Sequence, residues 1–303
     1  MQQSQLFFLV LSLLVSSSEG FVSPSHVAFN RKIAYPPKQS GLEAVTIPSW
    51  DAPIIKTDIS KFFGEKTPDY KAFASHISAT LLQFSLIMGF LHPFQKFLSS
   101  LSSLVPFLPD NVLHILETAI VSVFFFGMSV RSRVFSPLDN SRPSALIEDP
   151  VFKERLRPSW QPPPIAFPVI WTTIALLRTV SSTLVWKSKG TLLSRPLAFM
   201  MLHLSIGDTW NTINNVEKRL GTAALYVQGV WISVLLAVFE YYKAVPLAGV
   251  ILSPSALWLT VANFLVFTIW RLNSELFDRP SLFPSTEEGP SSKWRLPFTS
   301  WNK

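Results

Sequence analysis

Among the ionisable side chains inside long apolar stretches of this sequence, three are of types that could do distinct chemistry. Arg178 sits midway along one stretch; His203 and Asp208 share the next. A charge in lipid is costly and usually faces a bundle interior or a cavity. His203 has Gly207 and Trp210 at i+4 and i+7, so the three share one helical face. Neutral imidazole binds iron well, which makes His203 the candidate metal ligand among five histidines. The alternative for His203 is a hydrogen-bonded packing residue. Arg178, at about the depth of His203 in an antiparallel neighbour, could pair with Asp208 or meet a ligand carboxylate. Trp160, Trp210 and Trp258 could wall a cavity for a flat ring, with a partner needed for each N–H. Trp171, Trp186, Trp231 and Trp270 fall near predicted helix ends, where interface anchoring is the default. The chain has no cysteine, so thiolate metal sites and cysteine nucleophiles are excluded. It shows no zinc-helix motif, nucleophile elbow or phosphate-binding glycine loop. The expectation is therefore a non-enzyme.

The elements that must position these groups are membrane helices. Of 303 residues 48% are hydrophobic and 15% charged, against about 25% charged in soluble domains. Five stretches read as spans: 111–130, 165–186, 196–213, 222–239 and 247–270. They lack the period-two alternation of a barrel. The fold class expected is an all-α membrane protein, a five-transmembrane-helix bundle, with an extra N-terminal hydrophobic or interfacial helix. Residues 72–91, which contain His76 and Gln83, are either an extra span or a buried helix. Phe94, Phe97, Leu98, Leu101, Leu104 and Val105 recur at helical spacing and suggest a helix lying in the membrane surface.

The net charge of +7 is spread between apolar segments, with no basic run or basic–aromatic patch to suit a nucleic acid. It sets topology instead: the loop 131–164 and the C-terminus belong on the cytoplasm-like side. The expected domains are a signal peptide (1–20), a transit-peptide-like segment (21–45) and an N-terminal extension (46–110). A five-helix membrane domain (111–273) and a polar tail (274–303), read as disordered, follow. Phe21 opens an acid-free segment behind a signal-like run. That pairing resembles the bipartite address of secondary plastids and implies a plastid membrane, with another endomembrane as the alternative. Val238–Lys243 fits a weak sterol-contact pattern.

Between the first and second spans lies a rigid elbow. Pro162, Pro163 and Pro164 fix φ and remove backbone donors, which disfavours helix until just beyond them. Pro158, Trp160, Pro162, Pro163, Phe167, Trp171 and Thr172 follow the order Pro-x-Trp-x-Pro-Pro, Phe, Trp-Thr. About 100 residues on come Pro254, Trp258, Ala262, Leu265, Ile269, Trp270, Leu272 and Asn273. Both sets resemble signatures of the TspO/MBR family, the tryptophan-rich sensory or translocator proteins. The resemblance covers roughly residues 110–273. It implies a five-helix bundle with a pocket opening toward the first loop. It also implies binding or transport of porphyrin, haem, sterols or related amphipathic lipids, often as a homodimer. The ligand-binding set expected is Trp160, Pro162, Pro163, Phe167, Trp171, Arg178, His203, Trp210 and Trp258. Within it, Arg178 would meet a tetrapyrrole propionate and His203 would be the axial ligand if the ligand is haem. The alternatives are an intramembrane porphyrin-degrading enzyme and a structural protein that has lost ligand binding. The chain departs from the family pattern at His203 (usually Gln), Gly207 (Asn), Asn214-Asn215 (two Phe), Ser255 (Tyr), Ala175 (Tyr) and Arg178 (Met).

Overall fold

A computed structural model describes residues 66–139, 155–273, 281–288 and 291–297. The segments 1–45 and 140–154, which carry the targeting and first-loop expectations, lie outside or mostly outside these residues. The helices in chain order are α1 (Tyr70–Ser99), a single turn α2 (Leu101–Leu104), α3 (Asp110–Arg131) and α4 (Ala166–Lys189). They are followed by α5 (Arg195–Asn211), α6 (Leu220–Ala244) and α7 (Pro246–Asn273). A 3₁₀ turn, Ser132–Phe135, extends α3, and a π-turn, Thr212–Glu217, extends α5.

Local chemistry sets the ends. Asp69 caps α1 by accepting the Ala72 N–H at 2.9 Å. Gly190 ends α4 in the left-handed region at φ 66°, its N–H bonded to the Trp186 carbonyl. Pro196 sits in the first turn of α5, where its missing N–H costs nothing. Lys218 takes φ 60° to close the π-turn. The α6–α7 corner is only Ala244–Pro246, and it brings the helices into backbone contact. A Cβ on Gly249 would stand 2.5–2.7 Å from the Cβ, Cα and N of Tyr242, so this crossing requires glycine.

Five helices are long and apolar enough to cross a membrane: α1, α3 with its 3₁₀ turn, α4, α6 and α7. The chain is thus an all-α integral membrane protein, with no strand among the described residues. Its membership differs from the sequence expectation in two places. Helix α5, expected as a span over 196–213, has 17 residues before the π-turn and is not among the five. Ser205, Asp208, Thr209 and Thr212 are buried in this helix and its π-turn, and they lower its hydropathy. Conversely, the undecided stretch 72–91 is part of α1, whose 30 residues reach roughly 45 Å at 1.5 Å per residue.

The interfacial helix expected over residues 94–105 does not form as one element. Residues 94–99 continue α1, and Leu101–Leu104 is a separate turn. The apolar spacing there serves another helix rather than a lipid surface: Phe94 lies 4.7 Å and Phe90 6.1 Å from the Phe124 ring of α3. Helix α1 packs between α3 and α5, and the sequence of neighbours α1, α3, α4, α7, α6, α5 closes a ring. Ile87, Leu91, Val121, Phe125, Val185 and Met200 fill its main apolar core. Val230, Val234, Ala256 and Leu259 fill the α6–α7 seam.

The tail also departs from expectation. Its described parts form a strap across the end of the bundle that carries the 131–164 loop. Thr286 N–H bonds the Thr67 carbonyl, Arg295 N–H bonds that of Pro137, and the Arg295 guanidinium pairs with Asp139 at 2.9 Å. Phe283 packs 5.0 Å from Phe73. The tail is polar in composition, but several of its described hydrogen-bonding groups find partners on the chain segments at this end of the bundle.

Candidate ligand site and polar interior

The elbow is held from both sides. Leu156 N–H donates to Asn273 Oδ1 at 2.8 Å, and Asn273 Nδ2 donates back to the Leu156 carbonyl at 2.9 Å. Arg155 Nη2 donates to the Lys218 carbonyl. The start of the elbow is therefore pinned to the end of α7 and to the α5–α6 link. Asn273 is fully buried; it is a clamp, which explains why the last helix must end on an amide. Beyond the three prolines α4 begins, and Phe167 in its first turn meets Trp258 of α7 edge-on at 6.1 Å. Trp258 Nε1 and Gln161 Oε1 are buried and have no hydrogen-bond partner within the protein. One is a donor and the other an acceptor, and leaving either unmatched costs about 1–3 kcal/mol.

The other predicted site residues lie apart from this pair. Trp160 and Trp171 are nearly half exposed, as interface residues are. Trp210 spends its N–H on the Ala223 carbonyl at 3.0 Å and packs on the α6–α7 seam. Arg178 and His203 meet in the interior: Arg178 Nη2 lies 2.8 Å from His203 Nε2. Guanidinium can only donate, so Nε2 accepts and the imidazole proton resides on Nδ1. Nδ1–H then donates to Ser233 Oγ at 2.9 Å, and that hydroxyl donates to the Val230 carbonyl. Each step fixes the next, and His203 is neutral with both ring nitrogens engaged. Axial ligation of haem iron does not fit this arrangement. Nor does the expected Arg178–Asp208 pair form: Asp208 Oδ2 instead accepts Gln83 Nε2 and Ser132 Oγ, each at 2.7 Å. Arg178 keeps its Nε–H without an acceptor.

A second set of buried polar groups was not predicted as a site. It lies where α1, the π-turn and the tail converge. His76 Nε2 contacts both oxygens of Glu217 at 3.0 and 3.1 Å. Ser292 N–H donates to Glu217 Oε1 at 2.8 Å, and Arg219 Nε lies 3.3 Å from Oε2. Arg219 continues to Asp69 at 3.3 Å and to the Ser285 carbonyl at 3.1 Å. Partial burial alone would raise the Asp69 carboxyl, but the Ala72 N–H and the Arg219 guanidinium outweigh it and hold the group below its usual value. Thr80 meets Thr209 at 2.7 Å one turn along. Asp69, His76 and Gln83 are seven residues apart, which puts them on one face of α1. That heptad is the signal which could have located the seam; the acids it answers on α5 are 125–141 residues away.

The sequence model of the TspO/MBR family matches residues 115–271, from α3 through α7. The protein CrtK of Rhodobacter capsulatus is 32% identical over 119 residues, 39% of this chain and 74% of its own length. The tryptophan-rich sensory protein of Cereibacter sphaeroides is 30% identical over 117 residues, covering 39% and 73%. The human translocator protein is 28% identical over 120 residues, covering 39% and 71%. Helix α1 and the strap lie outside the match.

Proposed function

The chain belongs to the TspO/MBR family, and on that premise we propose that it binds or carries a tetrapyrrole or a related amphipathic ring lipid beneath the elbow. The observation that carries this reading is the buried Trp258 N–H, without a protein partner, on the ring that meets Phe167 edge-on; Gln161 Oε1 on the elbow is likewise unpartnered. A flat ring stacks on indole, while its edge supplies an acceptor and a donor. Pro162 and Pro163 hold the elbow rigid above this pair. Trp160 and Trp171, both substantially exposed, flank the elbow. Trp210 lies apart, on the α6–α7 seam, and the Nε–H of Arg178, deeper along α4 and without an acceptor, is the group proposed to receive a propionate. His203 serves by holding Arg178, so the ligand class includes metal-free porphyrin and needs no iron bond. The chain acts as a receptor or carrier, and residues 1–45 direct it to a plastid membrane.

Equilibrium titration of the purified chain with metal-free protoporphyrin, followed through the Soret band, tests the site. Trp258→Phe removes one neutral hydrogen bond of about 0.5–1.5 kcal/mol, so Kd should rise roughly 2- to 13-fold. Unchanged affinity would place the ligand elsewhere. A reporter fused to residues 1–45 should enter the plastid and stay outside it when Phe21 is replaced by Ser; secretion with Phe21 intact would refute the address.

A further inference from the structure

On the outer face of α6 and α7, at the end away from the elbow, runs an apolar groove of about 290 Å³. Leu235, Val238, Phe239 and Tyr242 form one wall, and Gly249 and Val250 form the floor and the other wall. The floor exists because position 249 carries no side chain where the two backbones touch. Seven residues separate Leu235 from Tyr242, so the groove extends about 10 Å along the helix axis, parallel to the acyl chains of a bilayer. Leu235, Phe239, Tyr242 and Val250 are all well exposed.

The rim at the α6–α7 corner is charged. Lys243 Nζ lies 5.1 Å above the Phe239 ring, which also lines the groove. The same ammonium is 3.4 Å from Glu240 Oε1, and Arg195 Nη2 is 3.1 Å from that same oxygen. Two cations thus share one carboxylate, and the rim holds a net charge of +1 directly above an apolar channel. We propose that this groove is a site for an anionic glycerophospholipid, with an acyl chain between α6 and α7 and the phosphate on Lys243 and Arg195. The sterol-contact pattern over Val238–Lys243 fits less well. Of its two tyrosines, Tyr241 is fully buried and bonded to Ser182 at 2.8 Å, and a neutral sterol hydroxyl makes no use of the excess cation.

Native mass spectrometry of the full chain in neutral detergent, with phosphatidylglycerol, phosphatidylcholine and cholesterol in competition, tests the site. Phosphatidylglycerol should be retained preferentially. Lys243→Gln and Arg195→Gln, taken singly so that Glu240 keeps one cation, should each lower that preference about fivefold, the effect of one basic residue at a membrane surface. Lys187→Gln, a basic residue that does not touch Glu240, should leave it unchanged. Val250→Trp fills the groove from an exposed position and should abolish retention of both phospholipids while sparing porphyrin binding. Equal retention of the two phospholipids by the unaltered chain would overturn the proposal. So would a preference that survives Lys243→Gln and Arg195→Gln, or displacement of phosphatidylglycerol by cholesterol.

Discussion

The buried ionisable residues divide by whether their hydrogen bonds close. Glu217 is closed: His76, Ser292 N–H and Arg219 surround both oxygens. Taking one donor from a buried carboxylate typically costs about 1–3 kcal/mol, so His76→Leu should lower the thermal unfolding midpoint. A conservative His76→Gln, able to donate one bond to Glu217, should recover part of the loss; equal loss in both would mean that packing rather than the bond matters. Asp69 adds a pH dependence. Its folded-state value lies below the ordinary carboxylate value, so its contribution is present above the unfolded pKa and is lost as pH falls through the lower, folded one. Acid unfolding curves of Asp69→Asn should accordingly lack that part of the acid loss, whereas curves parallel to those of the unaltered chain would contradict the assignment. Arg178 Nε and Trp258 Nε1 are among the open groups, as are His76 Nδ1 and Tyr226 Oη. Arg178→Met removes a charge-assisted contact of about 1.5–3 kcal/mol, so porphyrin Kd should rise roughly 10- to 150-fold. His203→Gln, which can still accept from Arg178, should change it far less. The presence of Arg178 and His203 at matched depth was readable from spacing. Their direct bond was not, because Asp208 offered an equally plausible partner until Gln83 and Ser132 were seen to occupy it.

Among the elements, α4, α6 and α7 were legible because their apolar runs are bounded by proline, glycine or basic residues at both ends. Helix α5 was legible as a helix, yet its length and hydropathy are those of an interior rod, with Asp208, Thr209 and Thr212 turned toward buried partners. Its acids need α1, and α1 lies outside the region shared with the family. That is the physical reason the extension could be seen as apolar while its place stayed open. A helix with a polar heptad inside an apolar run has to bury that heptad against something, and the sequence does not say what. Two consequences follow for stability. Gln83→Leu takes one of the described side-chain donors from Asp208 and should cost about 1–3 kcal/mol, read from the unfolding midpoint. Truncation after Asn273 removes the strap and with it the Ser292 and Ser285 contacts to Glu217 and Arg219. The truncated chain should insert but unfold at lower temperature; an unchanged midpoint would make the strap incidental.

At the scale of the whole molecule, the ring of six helices sets the topology. Lys66, the elbow from Arg155 onward, Arg219 and the strap belong to one face, and the α2 turn, Gly190 and Lys243 belong to the other. Protease protection with tags at Arg142, beyond Asn273 and at Pro106 should show the first two together and the third opposite. A Pro106 tag on the same side as Arg142 would mean that α3 does not cross. The two proposed sites, the groove near Lys243 and the elbow at Trp258, lie at opposite ends of the bundle, which allows each to be altered alone. The reading as a receptor or carrier stands or falls at the elbow. The decisive measurement is the Soret titration of metal-free protoporphyrin on the unaltered chain, Trp258→Phe and Arg178→Met, with folding verified for each. The expected result is saturable binding that weakens in both variants and persists in His203→Gln. Saturable binding of equal affinity in all four proteins, or no binding to the unaltered chain, would contradict a tetrapyrrole site built on Trp258 and Arg178.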